Sequence, residues 1–237
     1  MCFSATASFV TAGLLVPAGA YATTVALRHD RRYLPLASFP LLFGVQQFVE
    51  GGLWLALGGS TTIAVETAAL GFLAFAYCLW PFYVPLAARS VETRADRRRL
   101  FTVLAVLGFA LGVSLYLPLL LHREWISVSL AKGSILYGPV LIYDGIVPRS
   151  VIRALYALIV SVPLLFSSVD SVRLFGLLIL FSVVCSAIAY AYAFVSIWCF
   201  FAALLSLVVI AIVRRAARAA AGEQVDDGIG AARPRAG

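Results

Sequence analysis

Apolar residues fill long runs along this chain, broken by short polar and basic intervals. The first four runs cover about 5–27, 34–57, 62–88 and 100–121. Each is long enough for a helix crossing a hydrocarbon core of about 30 Å, which takes roughly 20 residues. A polar interval follows, then a run at 151–169, an Asp170-Ser171 break of helix-capping type, and an apolar run over 172–213. The last run is too long for one crossing, and the pattern predicts that it turns back at 189–193, where Tyr190 and Tyr192 suit a membrane interface. The expected fold is an all-α integral membrane bundle of seven transmembrane helices.

The interval 122–150 is the one long connection. In it Trp125, Ile126, Val128 and Leu130 alternate with Ser127 and Ser129, Lys132-Gly133-Ser134 supplies turn chemistry, and Ile135 to Tyr137 can return as a second strand. A small hairpin over the mouth of the bundle, between helices 4 and 5, is expected. Gly138-Pro139 ends it and Pro148 opens the fifth helix. Within the third run, Trp80-Pro81 and Pro85 predict a kink.

Composition agrees with a lipid solvent. The chain of 237 residues is 62% hydrophobic and 12% charged, too little polar surface for a soluble globule. The net charge of +7 lies in the connections between apolar runs instead of clustering on one water-facing surface, which argues against nucleic acid as a partner. Its distribution predicts direction. Fourteen Arg residues, from Arg28 to Arg235, alternate to one side, against Arg123, Lys132, Arg149 and Arg153 on the other. Basic residues concentrate in cytoplasmic connections, so the amino terminus is expected outside and the carboxyl terminus in the cytoplasm of a cell whose inner (plasma) membrane holds the chain. The membrane domain is expected over 1–213, and 214–237 reads as a basic, disordered tail, because Ala, Gly and charge there lack apolar periodicity.

Ionisable groups inside spans are costly in lipid and usually face the bundle interior, so each is a candidate site. Glu50 and Glu66 are the two clear cases, both in the outer halves of their helices. Gln47, Glu50 and Trp54 follow i, i+3, i+7 spacing on one helix face, with Gln46 beside them. They read either as a ligand-binding stripe on an outward-facing pocket or as a polar seam joining helices. Trp198 and Cys199 fall at the same level. Cys2 and Cys199, on the oxidising side, form a candidate disulfide or thiol pair. His122 and Glu124 are weak candidates for a metal, since two loop ligands are fewer than a metal site needs.

Several chemistries lack their residues. A retinal Schiff base needs a lysine within the bundle, and the single lysine, Lys132, is in the loop. Two histidines cannot share a haem when His29 and His122 belong to opposite membrane faces. No P-loop or dinucleotide fingerprint occurs.

The opening Met1-Cys2-Phe3-Ser4-Ala5, the run PLLFGVQQFVE at 40–50 with Gly51 and Trp54, and SIWCFFAA at 196–203 are distinctive together. They resemble an uncharacterised family of bacterial multi-pass membrane proteins. The resemblance implies a seven-span fold, assigns no activity or cofactor, and picks out Cys2, Gln46, Gln47, Glu50, Trp54, Trp198 and Cys199. The leading expectation is a non-enzymatic bundle that binds or senses a small molecule or lipid in an outer pocket around Glu50. The alternatives are a proton-coupled carrier using Glu50, a redox or metal enzyme using Cys2, Cys199 and His122, and an accessory subunit of a membrane complex or homo-oligomer.

Overall fold

The computed structural model describes residues 4–59, 61–131, 133–189 and 193–231, with side chains as far as Ala220. The described residues form seven long helices. These are α1 (Ala5–His29), α2 (Phe39–Leu57), α3 (Thr62–Val91), α4 (Ala95–Leu121), α5 (Arg149–Leu165), α6 (Asp170–Ala189) and α7 (Phe194–Leu205, resuming at Val208–Ala231). Five of them, α1, α3, α4, α6 and α7, are long and apolar enough to cross a membrane. Helix α2 is 19 residues long but carries Gln46, Gln47 and Glu50, and α5 has 17 residues. The perimeter is apolar: Phe181 is 69% and Ile188 80% exposed, as a lipid-facing surface requires and a water-facing one rarely shows. The fold is accordingly a helical membrane bundle.

Local chemistry explains the helix ends. Ser4 Oγ accepts from the Ala7 backbone N–H and Thr61 Oγ1 from that of Ala64, capping α1 and α3. Pro148 precedes the first residue of α5, where a missing N–H costs nothing. Helix α6 ends at Ala189 and α7 begins at Phe194, on either side of the expected turn. The middle of that turn, with Tyr190 and Tyr192, lies outside the described residues, as does Cys2.

Two features go beyond what the sequence pattern predicts. Beyond Val213 the described chain continues as helix to Ala231. Its Ala- and Arg-rich stretch has high helix propensity and needs no apolar face to continue an existing helix. The kink in α3 takes the form of a π-helical segment, Ala74–Leu79, immediately before the Trp80-Pro81 step. Pro81 has no N–H for the Tyr77 carbonyl, and its ring crowds that position, so the helix widens one turn earlier.

Helix α1 packs along α2, α3 along α4, and α5 against α6 and α3, while α7 lies against α1, α2 and α6. Small residues set the closest approaches. A Cβ at Gly108 would lie 1.8 Å from the Pro81 carbonyl oxygen, and one at Gly19 2.2 Å from the Leu41 nitrogen. Between helices in lipid, this closeness provides van der Waals contact that hydrophobicity does not supply. One core, around Phe39, Trp80 and Phe175, fills one end of the bundle. A second, around Leu53, Phe72 and Ile135, fills the other.

That second end carries the hairpin. Strands β1 (Val128–Ala131) and β2 (Ser134–Tyr137) pair antiparallel, Val128 opposite Tyr137 and Ala131 opposite Ser134. Gly133 turns the chain at φ 70°, a conformation that favours glycine. The hairpin is fastened inward by Ile135, fully buried, and by Tyr137 stacked on Phe72 of α3 at 4.6 Å between ring centroids.

At the opposite end, Glu92 clamps α3 to the α5–α6 connection. Its carboxylate accepts from the backbone N–H groups of Thr93 and Arg94 at 3.0 Å each and of Ser168 at 2.8 Å. Burial opposes the charged form, but the hydrogen bonds from Ser168, Arg94 and Thr93 prevail and hold the carboxyl below its ordinary 4.5. A depressed carboxyl stabilises the fold above its unfolded pKa and loses that contribution as pH falls through the folded value. Glu92→Gln should therefore lower the unfolding temperature at pH 7, by the equivalent of about 1–3 kcal/mol. The gap between variant and wild type should close as pH falls below 4.5 in tryptophan-fluorescence melts. A gap independent of pH would show that the carboxylate is not the clamp.

Candidate functional site: a cavity beneath the hairpin

The polar residues on α2 occupy the bundle interior. Gln46, Gln47 and Glu50 are all fully buried. Gln47 Nε2 donates to Glu50 Oε2 at 3.0 Å, and Ser196 Oγ of α7 donates to Glu50 Oε1 at 2.9 Å. Gln46 Oε1 accepts from the Trp80 indole N–H at 2.7 Å, and Trp80 stacks on Phe43 at 3.9 Å. The seam thus joins α2 to α3 and α7. Its neighbour Cys199 sits close to Gln46 and Glu50.

On the hairpin side of Ser196 the helices part around a cavity of about 170 Å³, lined from α3, α4, α5, α7, the hairpin and the segment after it. A cavity of about 150 Å³ can hold a benzene-sized group, so this one has room for a small ligand or part of a larger one. Ser196, Trp198 and Cys199 form its α7 wall. Tyr77, from the π-helical segment, and Tyr137, from β2, contribute aromatic rings. Helix α5 contributes Arg149, Ile152, Arg153 and Tyr156, whose i, i+3, i+4, i+7 spacing puts them on one face. The Tyr156 hydroxyl donates to the Ala76 carbonyl in the π-helical segment at 2.6 Å, tying α5 to α3 where the helix widens.

The two arginines differ. Arg149 Nη2 and Nε meet the two Asp144 oxygens at 2.6 and 2.8 Å, and Nη2 also reaches the Pro139 carbonyl at 2.9 Å. The Arg149 guanidinium, outweighing partial burial, holds the Asp144 carboxyl below its ordinary range. This pair braces the loop that closes the cavity. Arg153 has no carboxylate within 4.0 Å among the described residues, and its guanidinium lies 5.8 Å from the centre of the Phe194 ring.

Of the residues singled out from sequence, Trp198 and Cys199 reach the cavity wall. Gln46, Gln47 and Glu50 are not on the wall: Glu50 is bonded to Gln47 and Ser196 and Gln46 to Trp80, while Gln46 Nε2 and Gln47 Oε1 are buried with no hydrogen-bond partner among the described residues. Trp54 is half-buried in the hairpin-end core, and Glu66 is half-buried at the start of α3, neither on the wall. His122 and Glu124 are an exposed pair at 3.1 Å, and no group of three metal-ligating side chains occurs among the described residues. Arg149, Arg153, Tyr77, Tyr137 and Tyr156 were not anticipated as site residues. Both arginines read as topology charges, although the spacing of Arg149, Arg153 and Tyr156 on one face was available as a signal.

The fold and cavity define a class: a helical membrane bundle with an arginine- and tyrosine-lined cavity under a β-hairpin. Residues 1–224 match the family model described as "Family of unknown function (DUF6629)", and the chain belongs to that family. No curated protein and no solved structure matches it.

The seam has a direct consequence. Ser196→Ala removes a donor from a buried carboxylate and should lower the unfolding temperature, at a cost of about 1–3 kcal/mol. Ser186→Ala, at a buried hydroxyl without a hydrogen-bond partner among the described residues, should cost less. Equal melting temperatures for the two variants would show that the Ser196–Glu50 bond contributes nothing.

Proposed function

We propose that this protein is a non-enzymatic membrane bundle that binds or senses a small molecule or lipid in the cavity beneath the hairpin. The observation that carries the reading is that cavity: it has room for a ligand, it is walled by aromatic rings and arginines, and a hairpin stacked on α3 covers it. Such sites are typically apolar and aromatic with a few placed polar groups. The bundle crosses the bacterial plasma membrane seven times, with the amino terminus outside, so the cavity opens to the exterior. The basic asymmetry along the chain supports this orientation. In this reading Glu50 is structural. It holds α2 to α7 and so fixes Ser196, Trp198 and Cys199 on the wall.

Two measurements test the proposal. In intact cells, a cysteine placed at Ser129 on the exposed face of the hairpin should react with a membrane-impermeant maleimide. Reaction only after permeabilisation would reverse the orientation. A small-molecule and lipid screen by thermal shift and native mass spectrometry should find ligands that stabilise the purified chain. Their effect should fall at least about tenfold in Ile152→Trp, which fills the cavity, and persist in His122→Ala. Ligands indifferent to Ile152→Trp would place binding elsewhere and sink the reading.

A further inference from the structure

The chemistry of a ligand follows from what the cavity offers and what it withholds. Charge is withheld. Arg149 is engaged by Asp144 and by the Pro139 carbonyl, and Arg153 is an exposed side chain whose guanidinium water already solvates. No carboxylate lies on the wall among the described residues. A charged ligand would leave water for a wall without a free counter-charge, at a large desolvation cost that an uncharged ligand does not meet.

Size and wall chemistry narrow the class further. A space of about 170 Å³ has room for one six-membered ring and a small substituent, since about 150 Å³ of protein interior holds benzene. The rings that line it are fixed from behind. Tyr137 is stacked on Phe72, and Tyr156 and Phe194 each rest against Trp198 at 5.4 Å between ring centroids. Tyr156 is tied as well to the Ala76 carbonyl. Walls held in this way form before a ligand arrives, and a ring-lined space favours a flat aromatic guest over a flexible chain, which loses more freedom on binding. One polar group remains to be met. The Tyr77 side chain lies close to Arg149 and Cys199, all three on the wall, and its hydroxyl makes no hydrogen bond among the described residues. A tyrosine hydroxyl both donates and accepts, and a hydroxyl on the ligand is the smallest substituent that answers either role.

We propose that the cavity takes an uncharged single-ring phenol, its ring among Tyr137, Tyr156 and Trp198 and its hydroxyl at Tyr77. This inference rests on the binding role proposed above and adds the ligand class to it.

Fluorine NMR of the full chain at neutral pH in a neutral detergent tests it, with detergent alone as the background. The probes are 4-fluorophenol, fluorobenzene and 4-fluorobenzoate, with unlabelled phenol and cyclohexanol as competitors. 4-Fluorophenol should bind, phenol should displace it, and cyclohexanol, of similar size without the aromatic ring, should displace it at least about threefold less well. 4-Fluorobenzoate should bind at least about tenfold more weakly than the phenol. Tyr77→Phe, which removes one hydroxyl and keeps the ring, should weaken 4-fluorophenol by about three- to tenfold and leave fluorobenzene unchanged. Ile152→Phe and Ile152→Trp, which fill the cavity by different amounts, should weaken both progressively. Benzoate binding as tight as the phenol, cyclohexanol competing as well as phenol, or 4-fluorophenol indifferent to Tyr77→Phe overturns the proposal. So does absence of any phenol binding above the detergent background. If the wider ligand screen then still finds molecules that respond to Ile152→Trp, the binding role stands without the phenol, and if it finds none, the binding role falls too.

Discussion

A carboxylate buried in an apolar bundle must be met by hydrogen-bond donors from its own surroundings, because lipid offers none. Glu50 imposes that constraint here. Gln47 meets it from within α2, one turn away, and Ser196 from α7, so the need of one side chain sets the distance and rotation of two helices. Gln46 extends the seam to α3 through Trp80. Three helices distant in sequence are thereby registered against one another by groups that have few other partners within reach.

The cavity is a consequence of that registration. With α7 held by Ser196 on α2, Trp198 and Cys199 turn toward α5. The π-helical segment before Pro81 widens α3 at the same level and presents both Tyr77 and the Ala76 carbonyl. Helices that elsewhere touch at Gly19 and Gly108 cannot close completely here, and the hairpin covers the gap that remains. The Arg149–Asp144 pair braces the covering loop, while Arg153, one turn later, lies over the Phe194 ring. One end of the bundle is tied by the Glu92 clamp, and the hairpin end keeps a cavity beside its own core.

Much of the fold was legible in the chain. Lengths of apolar runs marked the helices, Pro148 and the Asp170-Ser171 break marked starts, and alternation around Lys132-Gly133-Ser134 marked the hairpin. The helix that continues past Val213 was not legible, because absence of apolar periodicity is evidence against packing and not against helix. The site was legible only in part. Spacing placed Gln47, Glu50 and Trp54 on one face but said nothing about what stands opposite. Glu50 therefore read equally as a pocket lining or as a seam between helices, and its bond to Ser196, 146 positions away, is a contact that no local spacing could supply.

By itself, then, the sequence determined what depends on neighbours along the chain: helices from apolar length, a hairpin from alternation and turn residues, a kink from proline. Tertiary structure alone decided which polar atoms are consumed and which are left over. That depends on partners brought together from α2, α3, α5 and α7, and no local pattern encodes their meeting. Arg149 and Arg153 are the same residue type one turn apart on the same face. Only the folded loop, by returning Asp144 to the first, separates the two: Arg153 is exposed and meets no carboxylate within 4.0 Å among the described residues.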